Sequence, residues 1–309
     1  MIARTLFFSL RGHLGVTQSQ LVFTPASETG VEPRTFPIED LGFIVIETPQ
    51  ITVTTYALQA LAENNTAVIF CDKAHMPASQ LLPFAGHTLT QKHFSAQMAA
   101  SEALKGRLWK QTIQAKMRNQ AACLEAGGKE GARWLRSLIP KVKNGDPGNC
   151  EALAAREYWR CHTPDMAFKR TREGPMPNAA LNYGYAILRA ATARALTGSG
   201  LSCLIGLHHH NQYNAFSLAD DVMEPYRPFV DDRVFNAPEQ FPSEALELTR
   251  DMKAALLGML TADTMIGDMQ RPLMNALSLT TASLARCFLK TETAIAYPAF
   301  PACPSPTTP

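Results

Sequence analysis

The stretch LWKQTIQAKMRNQAACLEAGG, residues 108–128, decides the fold class. Trp109, Ile113, Met117, Gln120 and Leu124 recur on one helical stripe, and Gly127-Gly128 ends the run, so the segment reads as a long helix. Upstream of about residue 90 the pattern is different. Short β-prone runs occupy residues 4–10, 14–17, 20–24 and 43–47, punctuated by glycines at 12, 15, 30 and 42. A short helix over 53–63 leads to an apolar strand at 67–71, and Pro77 and Pro83 mark a connector. Downstream the signal stays helical: 132–139, then Asn149 as N-cap of a helix through Arg160, then 178–196. Residues 218–236 are interrupted by prolines, and 243–260 and 277–290 complete the set. The expectation is an α+β chain of two domains. A β-rich, β-sandwich-like N-terminal domain covers 1–88, a larger all-α domain covers 89–297, and a Pro-rich disordered tail covers 298–309.

Composition narrows the function. With 309 residues, 46% hydrophobic and 18% charged, the chain has a soluble protein's balance, and its apolar runs fall far short of the roughly 20 residues of a membrane span. No charged leader with a long apolar run stands at the N-terminus, so secretion is not expected. Seven cysteines without a CxxC pair point to reduced thiols and a cytoplasmic location. The net charge of +2 hides an asymmetry. Residues 105–194 carry 17 Lys/Arg against 7 Asp/Glu, a local +10, and the remainder carries 12 against 20. A basic middle suits a phosphate-binding surface, and equally a solvated helical face.

The densest chemistry lies in HHHNQYNAFSLADDVMEPYRPFVDD, residues 208–232. Carboxylates suit hard divalent cations, and imidazoles suit the transition-metal end of that range. Ser217 and Asp220 have capping-box spacing, which leaves Asp221 and Glu224, at i and i+3, as the acids free for chemistry or for a solvated face. Alternation along an extended segment would direct one of His208, His209 and His210 away from the other two. A third ligand is sought upstream. Glu151 stands in a first helical turn beside small alanines, where a glutamate also serves the helix dipole; Glu157, between Arg156 and Arg160, reads more as a surface acid. There is no Walker A loop, GxGxxG, HExxH or GxSxG, and no Glu-x-x-His pair for a di-iron bundle.

Four blocks taken in order carry a resemblance: LWKQTIQAKMRNQA from Leu108, CEALAAREYW from Cys150, NAALNYGYAILRA from Asn178, and HHNQYNAFSLADDVMEPYRPFVD from His209. Together with the β-rich start and CDKAHMP from Cys71, they resemble the CRISPR adaptation integrase family, in the version found in type II systems, over nearly the whole chain. The resemblance implies a divalent-metal triad of Glu151, His209 and Glu224, binding Mg²⁺ or Mn²⁺, with Asp221 as reserve ligand or supporting partner. It implies a DNA integrase and endonuclease of antiviral defence, in which the 3′-hydroxyl of a captured DNA fragment attacks a phosphodiester at a CRISPR repeat. The family's partners are double-stranded DNA, a second copy in a homodimer, with the N-terminal domain as dimerisation region, and a small ferredoxin-like CRISPR subunit. Lys110, Lys116, Arg118, Arg156, Lys169, Arg170 and Arg172 then become candidate phosphate contacts, each otherwise an ordinary surface charge. Cys150 departs from the arginine common before the glutamate in relatives. Two other readings remain open: a non-catalytic DNA-binding subunit on the same scaffold, and a metal-binding helical protein unrelated to nucleic acid.

Overall fold

The computed structural model describes residues 4–84, 86–163, 168–171, 174–242 and 244–300. The N-terminal region contains two four-stranded sheets. One is built from β1 (Arg4–Phe8), β5 (Leu41–Ile46), β7 (Ala67–Cys71) and β8 (Pro77–Leu81), in that order, with β8 antiparallel to an otherwise parallel set. The other runs β4 (Arg34–Pro37), β3 (Gln20–Pro25), β2 (Gly12–Thr17), β6 (Ile51–Val53). Helix α1 (Thr55–Glu63) crosses from β6 to β7, capped by the Thr54 hydroxyl on Ala57 N–H.

β5 shows why the two regions pack as they do. All six residues of LGFIVI are buried, the mark of a strand covered on both faces. With period two, Ile44 and Ile46 join Leu14, Leu21 and Phe23 between the sheets. Phe43 and Val45 turn the other way and pack with Leu181, Leu188, Val230 and Leu256 of the helical region. Lys253 and Glu47 reinforce that contact through an ion pair of 2.5 Å, buried on both sides.

The helical region begins with α2 (Thr90–Met98) and α3 (Glu102–Ala126). The expected stripe is buried along its whole length: Trp109, Ile113, Met117, Gln120 and Leu124 are all nearly inaccessible. Helices α4 (Ala132–Leu138), α5 (Cys150–His162), α6 (Asn178–Gly198), α7 (Ser217–Met223), α8 (Arg227–Phe235), α9 (Arg250–Gly258) and α10 (Leu273–Phe288) follow. Between α7 and α8 the prolines tighten the chain into a 3₁₀ turn, Glu224–Tyr226, without ending its course.

Several expectations are corrected. The C-terminal region is not all-α: β9 (Asp263–Ile266), β10 (Met269–Pro272) and β11 (Pro298–Ala299) form a small antiparallel sheet. Pro298–Ala299 therefore belong to the fold and not to a tail, and the Phe300 ring stacks on Phe229 at 4.2 Å; residues 301–309 lie outside the described residues. Pro77 opens a strand where a connector was expected, because a first strand position on a sheet edge needs no N–H donor. The helix expected over 243–260 starts only at Arg250, where the Thr249 hydroxyl accepts from Met252 N–H; Ser243 lies outside the described residues.

Candidate metal centre

Glu151 reaches the centre from the first turn of α5. The cap there is not the expected one. Asn149 sits in the left-handed region (φ 49°) with no side-chain bond to the helix. Instead both oxygens of Asp146 accept, from Cys150 N–H and Glu151 N–H, each at 2.9 Å. Glu151 is partly exposed and its Oε1 receives the Lys116 ammonium at 2.7 Å. Glu157 is tied to Arg160 on the outer face, at 2.6 and 2.9 Å, which leaves Glu151 as the acid that faces the centre.

His209 is separated from its neighbours by what each ring touches. His208 lies flat on the buried Trp109 indole, centroids 4.5 Å apart and 3° between planes, and His210 is exposed. His209 stands edge-on to the same indole and hydrogen-bonds through Nδ1 to Asp221 Oδ1. Asp221 is fully buried, and its Oδ2 accepts from Leu207 N–H at 2.6 Å and His208 N–H at 2.9 Å. Both oxygens of Asp221 are thus occupied, and the contact to Nδ1 holds the imidazole. The hydrogen bond to Asp221 raises the His209 pKa, and burial opposes it. Gly206 permits this close fold-back. A Cβ there would meet His209 O at 2.6 Å and Asp221 Oδ2 at 2.7 Å.

The third donor, Glu224, opens the 3₁₀ turn and is buried. Arg227 Nε donates to its Oε1 at 2.8 Å, and Lys116 Nζ lies 2.6 Å from its Oε2. Burial works against its ionisation, but Arg227 and Lys116 outweigh burial and hold the carboxyl at about 2. Asn119 on α3 anchors the turn from below, donating to Pro225 O at 2.7 Å and Pro298 O at 3.0 Å. The expected capping box at Ser217 is absent: Ser217 is already helical, and Asp220 pairs with Arg189 at 2.7 Å and accepts from Asn214 at 2.8 Å.

Glu151 from α5 and Glu224 from the turn after α7 therefore meet on one point, and His209 is held on the loop before α7 by its contact with Asp221. Their chemistry, two carboxylates and one imidazole, fits a divalent ion of the Mg²⁺–Mn²⁺ type. Among the described residues no three His, Cys, Asp or Glu side chains stand close enough to hold a metal as they are. The point on which Glu151 and Glu224 converge is filled by the Lys116 ammonium.

Lys116 is consequently a correction to the basic-surface reading: it is buried inside the centre, not presented outward. It falls at i+7 from Trp109 and i−4 from Gln120, on the buried face, and that spacing was the signal for it. Arg227, three residues after Glu224, had a comparable signal. Lys110 on α3 and Arg156 on α5 have no ion-pair partner among the described residues. Arg118 is exposed and borders a cleft of about 520 Å³ beside residues 294–299. Lys169 is exposed, whereas Arg170 turns inward, bonding Asn178 at 3.0 Å and Asn182 at 2.7 Å with its guanidinium over the Tyr185 ring. Arg172 lies outside the described residues.

Comparison with known proteins decides the family. Residues 6–267 match the model of CRISPR associated protein Cas1. The chain belongs to the Cas1 family. It is 38% identical over 258 residues to the CRISPR-associated endonuclease Cas1 of Neisseria meningitidis serogroup C, covering 83% of each chain. Its fold is that of a casposase bound to integration product (TM-score 0.77, 21% identity, 94% and 92% of the two chains) and of a Cas1 protein from Thermotoga maritima (0.71, 17%, 97% and 100%). A Cas6-RT-Cas1–Cas2 complex (0.68, 18%, 95% and 36%) and a TtCas1–DNA complex (0.56, 16%, 99% and 95%) share it. This Cas1 chain is a CRISPR-associated endonuclease.

Proposed function

We propose that Glu151, His209 and Glu224 form the metal centre at which this Cas1 chain cuts DNA and joins the 3′-hydroxyl of a captured fragment to a repeat phosphodiester. The observation that carries this reading is the convergence of two carboxylate oxygens on one cation beside an imidazole fixed by Asp221. When bound there, Mg²⁺ or Mn²⁺ would neutralise charge on the phosphate and acidify the attacking hydroxyl or water. The protein's own contribution is orientation. Asp221 holds the His209 ring through Nδ1, Arg227 fixes one oxygen of Glu224 while the other meets Lys116, and Asp146 sets the first turn from which Glu151 projects. Arg227 and Lys116 hold the Glu224 carboxyl well below the ordinary carboxylate range.

Lys110, Arg118, Arg156, Lys169 and Arg172 would bind the DNA backbone without reading sequence. The fold shared with a DNA-bound Cas1 and with a Cas1–Cas2 complex supports DNA and a Cas2-type subunit as partners; the family resemblance adds that the DNA is double-stranded and that the chain pairs with a second copy. The motif blocks and the 38% relative favour the type II version of the family. A division near residue 88, with the β-rich part serving dimerisation, suits the two-sheet architecture. No helix among the described residues is long and apolar enough to cross a membrane; the free cysteines suit a cytoplasmic site of action.

Mn²⁺-dependent joining on a repeat-containing duplex tests the reading, with wild type compared against Glu151→Ala, His209→Ala and Glu224→Ala. Each variant is expected to retain salt-dependent DNA binding and lose joining by at least about a hundredfold. Binding without joining in the wild type would favour a structural subunit, and undiminished joining by Glu224→Ala would move the ligand elsewhere.

A further inference from the structure

Lys116 holds a position that a bound metal would need. Its ammonium lies 2.7 Å from Glu151 and 2.6 Å from Glu224, on a side chain only 10% exposed. A divalent ion shared by the same oxygens would sit about 2.0–2.6 Å from each, so ion and ammonium exclude one another. The side chain has somewhere to go. It borders a small cavity of about 140 Å³ that is also lined by Gln120, Arg170, Tyr185 and Arg227. Gln120 is buried there and its Oε1 has no hydrogen-bond partner among the described residues.

We propose that Lys116 is a latch on the metal centre: it holds Glu151 and Glu224 together in the metal-free protein, competes with the divalent ion, and transfers to a DNA phosphate when substrate arrives. This rests on the metal-centre reading above. Without the latch, two carboxylates facing one point would repel across a largely buried site, with only Glu224 compensated by Arg227. With it, metal entry requires the ammonium to leave, and a phosphodiester offers a new partner for the displaced charge. Metal and DNA then favour each other's binding, and linkage requires the effect to be reciprocal. The centre stays guarded against free metal and is armed when DNA is present.

Mn²⁺ titration of the full chain by calorimetry tests this, with and without a duplex ending in 3′-dideoxynucleotides so that no joining occurs. Lys116→Met is expected to bind Mn²⁺ about tenfold more tightly than wild type without DNA, and to lose most of the affinity gain that the duplex confers on wild type. Lys116→Arg, which keeps the charge, should not tighten. Lys116→Gln serves where Lys116→Met does not fold. Unchanged or weaker Mn²⁺ binding by both neutral variants, or an undiminished duplex effect in them, overturns the latch. Glu151→Ala and Glu224→Ala separate the two levels. If they bind Mn²⁺ as wild type does, the metal centre itself is misplaced and the latch falls with it. If they lose Mn²⁺ while the neutral Lys116 variants gain nothing, only the latch falls.

Discussion

The two flanks of the proposed metal centre are built to different tolerances. On one side His209, Asp221 and Glu224 lie within 16 residues, and every oxygen of Asp221 is consumed by the imidazole or by backbone N–H groups. On the other side Glu151 rises alone from a helix start, supported by Asp146 and met by a lysine from a third helix. A fully satisfied buried network fixes geometry and fails all at once, whereas a capped helix end yields in small steps. The 206–227 segment is therefore the rigid half of the site and the 146–151 segment the adjustable half.

The sharpest way to break that contrast is Asp221→Ala. It leaves the Leu207 and His208 N–H groups without their acceptor and frees the His209 ring, so a loss of roughly 3 kcal/mol in stability is expected. Joining should fall at least about a hundredfold even at saturating Mn²⁺. Denaturant unfolding and a joining assay measure the two effects, and a folded, active Asp221→Ala protein would show that the network is dispensable. Next comes Gly206→Ala, whose methyl group would press on His209 O and Asp221 Oδ2. Backbone displacement there is expected to cost about 1–3 kcal/mol and to lower joining more than DNA binding.

How much of this was legible in the sequence depended on whether a residue's partner lay nearby along the chain. The α3 stripe gave its helix directly, because burial follows period 3.6. β4, β6 and β8 are not legible: all are short edge strands, β4 and β8 contain proline, β6 has only three residues, and pairing rather than local pattern makes them strands. His209 was picked from three histidines only through family resemblance, since the Trp109 ring that engages His208 lies about 100 residues away. Lys116 reads as a surface charge because it lies in a basic stretch with Lys110 and Arg118; its place on the buried face of α3 outweighs that reading. Asp146 was overlooked in favour of Asn149 because a loop aspartate four residues ahead of the helix caps it through the fold of the Asp146–Asn149 turn, not through cap spacing.

A smaller effect is expected at Asp231, behind the centre. Burial raises its carboxyl to about 7, even though Tyr185 and Tyr158 hydroxyls donate to it at 2.5 and 2.9 Å and Arg227 and Arg170 favour its charge. The raised value means the native state binds the proton more tightly than the unfolded state. The associated stability is fully present below about pH 4 and is lost as pH rises through about 7. Asp231→Asn imitates the protonated acid, so its stability relative to wild type should improve by on the order of 1–2 kcal/mol between pH 5 and pH 8. Parallel unfolding curves across that range check the sign, and a flat difference would place the charge of Asp231 outside the balance.

The adjustable flank supplies the mildest test. Asp146→Ala removes the acceptor for Cys150 N–H and Glu151 N–H, but both groups stand near a helix start where water can replace it. Loss of such a cap costs about 1 kcal/mol. If Glu151 is positioned only through its helix, fraying of the first turn should loosen its carboxylate and weaken Mn²⁺ binding a few-fold, while the joining rate at saturating Mn²⁺ changes little. Asp146→Asn, which can still accept one of the two bonds, should fall between the variant and wild type. An Asp146→Ala protein that loses joining at saturating metal as completely as Asp221→Ala would show that both flanks are rigid, and the contrast between them would disappear.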